Sequence, residues 1–292
     1  MNKTTDKTSN IHTIKHKDTS WDTETGIAKA FCDYFTNVGP SYAENIPNPK
    51  KHYTQYMGNT NPNSLFMNPT DTQEILNIIK NMKPKTSSGH DNINAKMLKE
   101  VQNEIKEPLC VLMNKSLLNG IFPNIFKMAE VIPIHKNKSK DKIENYIPIS
   151  LLPTVSKILE KLIHKRIYNF LQKHKLLYNS QYGFRPEHST INAITEYTIK
   201  LTENLESKKH SLSTYLDLSK AFDTINHSVL LNKLNHYGIR GNCLNWLNSY
   251  LSNRTQYVKI NKTKSAIQNV ICGVPQGSVL GPLLFIIQCI HK

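Results

Sequence analysis

Acidic residues are scarce in this 292-residue chain: 22 Asp and Glu stand against 37 Lys and Arg, for a net charge of +15. Such an imbalance points to a polyanionic partner, most commonly nucleic acid, with charge serving only solubility as the alternative. The surplus is uneven, and residues 124–176 alone carry +7. Cysteine is scarcer still. Cys32, Cys110, Cys243, Cys272 and Cys289 are scattered, odd in number and without a C-x-x-C pair. That spacing excludes a disulfide framework or a zinc knuckle and fits small core residues in a reducing compartment. The twelve histidines show no ligand spacing. Long apolar runs are missing too. The longest, Val279 to Ile287, is interrupted by Gly281 and Pro282 and falls far short of the roughly 20 residues that span a bilayer. The polar start at Met1 to Lys7 is no signal peptide. The expectation is an intracellular chain, nuclear or cytoplasmic, without a membrane partner and without internal repeats.

Residues 1–20 are polar and aperiodic and predict a disordered tail. Ile27, Phe31, Tyr34 and Phe35 recur at helical spacing and predict a helix over 22–37. A connector rich in Pro, Asn and Gly follows over 38–70. Thr70 or Asp71 is placed to cap a helix carrying Ile75, Leu76, Ile78, Ile79 and Met82, ended by Lys83-Pro84. Lys85 to Asp91 is a loop, helices fit 94–101 and 104–119, and Gly120 is a stop. Val131 to Ile134 is a short strand, followed by a basic turn from Lys136 to Lys142. The clearest helix is 154–173, and another fits 189–206, capped by Ser189 or Thr190. Ser211 to Leu218 alternates, with Leu212, Leu216 and Leu218 on one side and Ser213, Tyr215 and Asp217 on the other, and predicts a strand. Helices at 227–236 and 241–251, a strand pair at 255–260 and 266–271, a turn over 273–277 and a helix at 278–289 complete an α+β chain.

Asp217 stands near the end of the alternating segment. An ionised carboxylate there is costly unless balanced, and hard divalent cations balance it with oxygen ligands. Taken alone, the pair Asp217 and Asp223, six residues apart, favours a turn cap at Ser219-Lys220 over a metal ligand, and Asp223 reads as a cap or turn-former. Phe222 is either a ring abutting a ligand's sugar or ordinary core. In Gly273-Val274-Pro275-Gln276-Gly277-Ser278 the glycines and proline fix a tight turn. Gln276 there presents both a donor and an acceptor, and Gly277 permits close backbone approach; a surface glutamine on a strand-to-helix turn is the plainer alternative.

Several ordered blocks then carry a resemblance. These are Ser87 to Asp91, Val131 to Ile134, Asn145 to Pro153, Ser180 to Arg185 with His188-Ser189-Thr190, Leu216 to His227, and Gly273 to Phe285. From about 22 to 287 the chain resembles the reverse transcriptases of LINE-type (non-LTR) retrotransposons, in a jockey-like branch. The resemblance implies a right-hand polymerase fold with fingers and an incomplete palm. It makes Asp217 the catalytic metal ligand, helped by the Leu218 carbonyl, and Phe222 a steric gate. It sets Gln276, with Gly277 beside it, against the nucleotide, and Arg185 and the Lys136/Lys138 turn near template or triphosphate. Mg²⁺, an RNA template, a DNA primer and dNTPs are the implied cofactor and partners.

Three departures qualify this. The family's Tyr-Arg-Pro-Ile block reads Tyr146-Ile147-Pro148-Ile149, so an arginine expected to hold triphosphate is lost. The segment after Ile287 runs Gln288-Cys289-Ile290-His291-Lys292, where the family continues differently. The Ala-Asp-Asp block is absent. The expected organisation is a tail over 1–20, a helical connector over 21–84, fingers and the start of the palm over 85–210, and a partial palm over 211–292, truncated before the second acidic block. The expected function is a fragment of an RNA-directed DNA polymerase that is inactive alone, since one carboxylate cannot hold two mutually repelling cations. A non-catalytic RNA- or hybrid-binding remnant, or a pseudogene product, is the alternative.

Overall fold

The computed structural model describes residues 11–47, 51–84, 87–136 and 138–289. Half of the expected tail, residues 1–10, lies outside the described residues, as do Lys85 and Thr86 of the expected loop, Asn137 of the basic turn, and Ile290 to Lys292. The other half of the tail corrects the expectation. β1 (Ile14–His16) and β2 (Thr19–Trp21) pair antiparallel. Ile14 is fully buried, with Ile11 and Trp21 packed on the same cluster. A few apolar side chains in a polar stretch therefore give the hairpin an inner face.

α1 (Glu24–Glu44) starts where Thr23 Oγ1 accepts from Gly26 N at 3.2 Å, and it runs past its expected end through Pro40. It lays Ile27, Ala28, Phe31 and Cys32 on a mixed sheet. β3 (Met128–His135) pairs antiparallel with β4 (Tyr146–Leu151) and parallel with β5 (Arg254–Ile260). β5 in turn carries β6 (Thr263–Lys264) and β7 (Gln268–Val270), both antiparallel, as the expected strand pair requires. No element is expected over β4, and Pro148 within it is unfavourable to a strand interior. The ladder tolerates the proline because β4 is at the sheet's edge. Pro133 faces it in β3, beyond the residues that β3 pairs with β5.

The other layer is helical. α2 (Thr72–Lys80) is capped by Asp71, whose Oδ1 accepts from Glu74 N at 2.7 Å. α3 (Ala95–Glu100) and α4 (Gln102–Asn119) follow, and Gly120 ends α4 at φ 63° in the left-handed region. α5 (Thr154–Lys173) buries Ile158, Leu159, Leu162, Ile163, Ile167, Phe170 and Leu171, the face its periodicity marked. α6 (Thr190–Glu206), capped by Ser189, buries none of its residues. α7 (His227–His236), α8 (Gly241–Leu251) and α9 (Gly281–Cys289) join α2 to α5 in one apolar cluster.

The expected strand over Ser211 to Leu218 is not formed. The segment is irregular, with Leu212 95% and Leu216 89% exposed. Alternation yields a strand only when a neighbour takes the backbone hydrogen bonds. Here the segment lies along α6 through side chains instead. Tyr215 Oη donates to Tyr197 Oη (2.9 Å), and Asn204 Nδ2 donates to Ser211 Oγ (3.0 Å).

Candidate nucleotide cleft

Three sequence blocks are stitched together by backbone hydrogen bonds. Gly273 N donates to Ile225 O (2.8 Å) and Val274 N to Phe222 O (2.9 Å), which joins the turn over 273–277 to the segment after Asp217. Ser150 N donates to Gln276 O at 2.8 Å, which joins the same turn to the edge of β4. Gly277 allows that approach. Its φ is +120°, and a Cβ there would stand 2.7 Å from Ser150 O. Gly39 does the same for α1, since a Cβ at that position would meet Cys272 Sγ at 2.3 Å and Asp223 O at 2.4 Å. Nothing in the sequence singled Gly39 out, because a glycine inside a helix gives no local sign of what lies across from it.

The assembly encloses an open cleft of about 590 Å³. Asp217, Leu218, Phe222, Gln276 and Lys136 all line it, beside Lys138 and Lys220. Ile147 lines it as well and brings no charge there. Phe222 is partly buried, edge-on to Phe184 (5.8 Å between centroids) and tilted against Phe285 (5.1 Å), so core packing holds its ring at the cleft wall. Arg185 is not among the lining residues. Its Nη1 donates to the carbonyls of Tyr178 (2.8 Å) and Gln181 (3.3 Å), tying its own loop together.

Asp223, expected as a cap or turn-former, lies in the turn over 219–224, where its N–H donates to Lys220 O at 2.9 Å, but it caps no helix. The cap of α7 is Asn226, whose Oδ1 accepts from Val229 N at 3.1 Å. Both Asp223 carboxylate oxygens accept from Gln276 Nε2, at 2.8 and 2.9 Å. Burial pushes the Asp223 carboxyl above its ordinary 3.8, while Gln276 and the Lys220 cation pull it down. An ionised carboxylate only accepts, so the Gln276 amide must turn its nitrogen inward and leave its carbonyl as the group the cleft can use. Burial likewise pushes the Tyr34 hydroxyl, at the other wall, up to about 12.

The donor set for a divalent cation is thin. Asp217 is exposed, and the Leu218 carbonyl is the neighbouring oxygen that the resemblance implies. No group of three or more His, Cys, Asp or Glu gathers among the described residues, and the Asp223 oxygens are occupied by Gln276. Oxygen chemistry suits Mg²⁺, yet of the three carboxylates lining the cleft among the described residues, Asp223 faces Gln276 and Glu144 pairs with His16, and the Asp217 that is left does not fit a two-cation site. No helix among the described residues is long and apolar enough to cross a membrane.

Residues 134–290 match the family described as reverse transcriptase (RNA-dependent DNA polymerase). Two similar proteins come from Drosophila melanogaster. The probable RNA-directed DNA polymerase from transposon BS is 34% identical over 229 residues, covering 76% of this chain and 24% of the relative. The RNA-directed DNA polymerase from mobile element jockey is 32% identical over 223 residues, with the same two shares. A Pol polyprotein from retrotransposable element R2 of Popillia japonica is 25% identical over 224 residues, 74% of this chain and 29% of the relative. The chain thus spans about a quarter of the length of the first two relatives. With the matched region running from the end of β3 through the cleft to α9, the chain belongs to the reverse transcriptase (RNA-dependent DNA polymerase) family, alongside the jockey-like polymerases of non-LTR retrotransposons.

Proposed function

We propose that the chain is the nucleotide-holding part of an RNA-directed DNA polymerase, built from fingers and part of a palm, and that it does not extend a primer by itself. One observation carries this reading: Lys136, the block from Asp217 to Phe222, and Gln276, three segments far apart in sequence, line a single cleft. In that cleft Phe222 is the wall against the sugar, Gln276 and Gly277 form the turn against the nucleotide, and Lys136 approaches the phosphates. Asp217 and the Leu218 carbonyl are the oxygens that would hold a Mg²⁺ ion, whose charge would offset that of the triphosphate. Arg185 serves the loop that faces the template. RNA template and DNA primer are held electrostatically by the basic surface, so their affinity falls with salt.

Catalysis needs the leaving and attacking oxygens to be clamped by two cations, and Asp217 without a second acid free to ligate leaves those charges uncompensated. The test is a labelled DNA primer annealed to an RNA template, incubated with the chain, Mg²⁺ and dNTPs. Retention of the hybrid at low salt with no extension is the expected result. Extension that disappears in Asp217→Ala would contradict the absence of catalysis, and failure to retain the hybrid at low salt would contradict the reading as a whole.

A further inference from the structure

Among the described residues that line this cleft, Lys220 is the cation that packing holds in place. Lys136 and Lys138 are exposed, whereas Lys220 is half-buried. Its Nζ donates to the Tyr146 carbonyl at 3.3 Å and lies 5.4 Å from the centroid of the Tyr34 ring. Those two contacts come from two separate elements, β4 and α1. They fix a side chain that would otherwise sweep freely, so less entropy is lost when it meets an anion. Its backbone sits at φ 53°, an uncommon conformation for a residue with a Cβ. Asp223 N (2.9 Å) and Thr224 N (3.1 Å) both donate to its carbonyl and lock that bend.

The electrostatics agree with the geometry. Lys220 forms no ion pair among the described residues, although Asp223 and Glu144 line the same cleft; burial pulls its ammonium below the ordinary lysine value, and those two carboxylates oppose that. Ile147, adjacent to the carbonyl that Lys220 contacts, lines the same rim without charge. A cation that is held by a ring and a carbonyl and lies partly out of water is screened less than an exposed lysine, so it attracts an anion more strongly at close range.

We propose that Lys220 is the principal cation for the phosphate chain of a nucleoside triphosphate in this cleft, at the rim to which Ile147 brings no charge. The inference rests on the nucleotide-holding reading above and names which residue takes the phosphates.

The test is equilibrium binding of dTTP, dTMP and thymidine to the full 292-residue chain and to Lys220→Met and Lys220→Arg. The parent chain is expected to bind in the order dTTP, dTMP, thymidine. Lys220→Met is expected to weaken dTTP by about tenfold or more, as for the loss of a hydrogen bond to a charged group, with thymidine changed less than about twofold. Lys220→Arg is expected to keep most of the preference for phosphate. A second measurement needs no variant: dTTP should shield Lys220 of the parent chain from an amine-acylating reagent, read by mass spectrometry. If dTTP binds the parent but Lys220→Met binds it equally well, or Lys220 is acylated at the same rate with dTTP present, this assignment is wrong and the cleft reading stands. If the parent binds none of the three compounds, both fall together.

Discussion

Gln276 and Asp223 work as a pair, and the pairing gives a test at the scale of single residues. The carboxylate takes the amide nitrogen through both of its oxygens, so removing it frees the amide to rotate and costs the orientation of the carbonyl. Asp223→Leu should therefore weaken dTTP binding almost as much as Gln276→Ala. The double variant should be little worse than Gln276→Ala alone, a coupling of about 1–2 kcal/mol in a double-mutant cycle. Simple addition of the two losses would show that Asp223 only supports the fold. The sequence marked Asp223 as an acid before a helix but gave no sign of its partner, which lies 53 positions away. Gln276, by contrast, was legible because its turn is written in Gly, Pro and Gly. Arg185 shows the limit from the other side: a conspicuous arginine in a loop motif spends Nη1 on the carbonyls of that loop and Nη2 on Gln172 Oε1 of α5.

Among the elements, α5 and α9 depend on one buried acid. Glu160 is fully buried in α5, and its Oε2 accepts from Val279 N (2.7 Å) and Leu280 N (3.2 Å) at the start of α9. Burial raises its carboxyl above the ordinary 4.5, opposed chiefly by the charge of Arg254. With the folded value raised, the stability contributed by protonation is fully present below 4.5 and is lost as pH rises through the folded value. Glu160→Gln mimics the protonated acid and keeps an acceptor, so it should flatten that part of the pH dependence in thermal unfolding. Glu160→Leu strands both N–H groups and should cost about 2–4 kcal/mol. Equal stability of Glu160→Leu and the parent would contradict the role. The helical elements themselves were mostly legible, since α5, α7 and α8 follow their apolar periodicity and α4 stops at Gly120. The segment 211–218 was not, because period-two alternation records a preference for a sheet without saying whether a partner strand is there to pair with. The opposite holds for β4, where no element was expected and the proline is tolerated because the strand is at an edge.

For the whole molecule, the central claim is that two apolar clusters, α1 on the sheet and the helical layer beside it, meet along a seam that forms one nucleotide cleft. The most direct measurement is amide hydrogen exchange of the 292-residue chain with and without dTTP and Mg²⁺, resolved by peptide. Slower exchange is expected in peptides covering 134–150, 217–224 and 273–278, with α2 to α4 unchanged. Slowing that falls on α2 to α4, or is absent from those three stretches while dTTP is bound, would contradict the cleft as the nucleotide site.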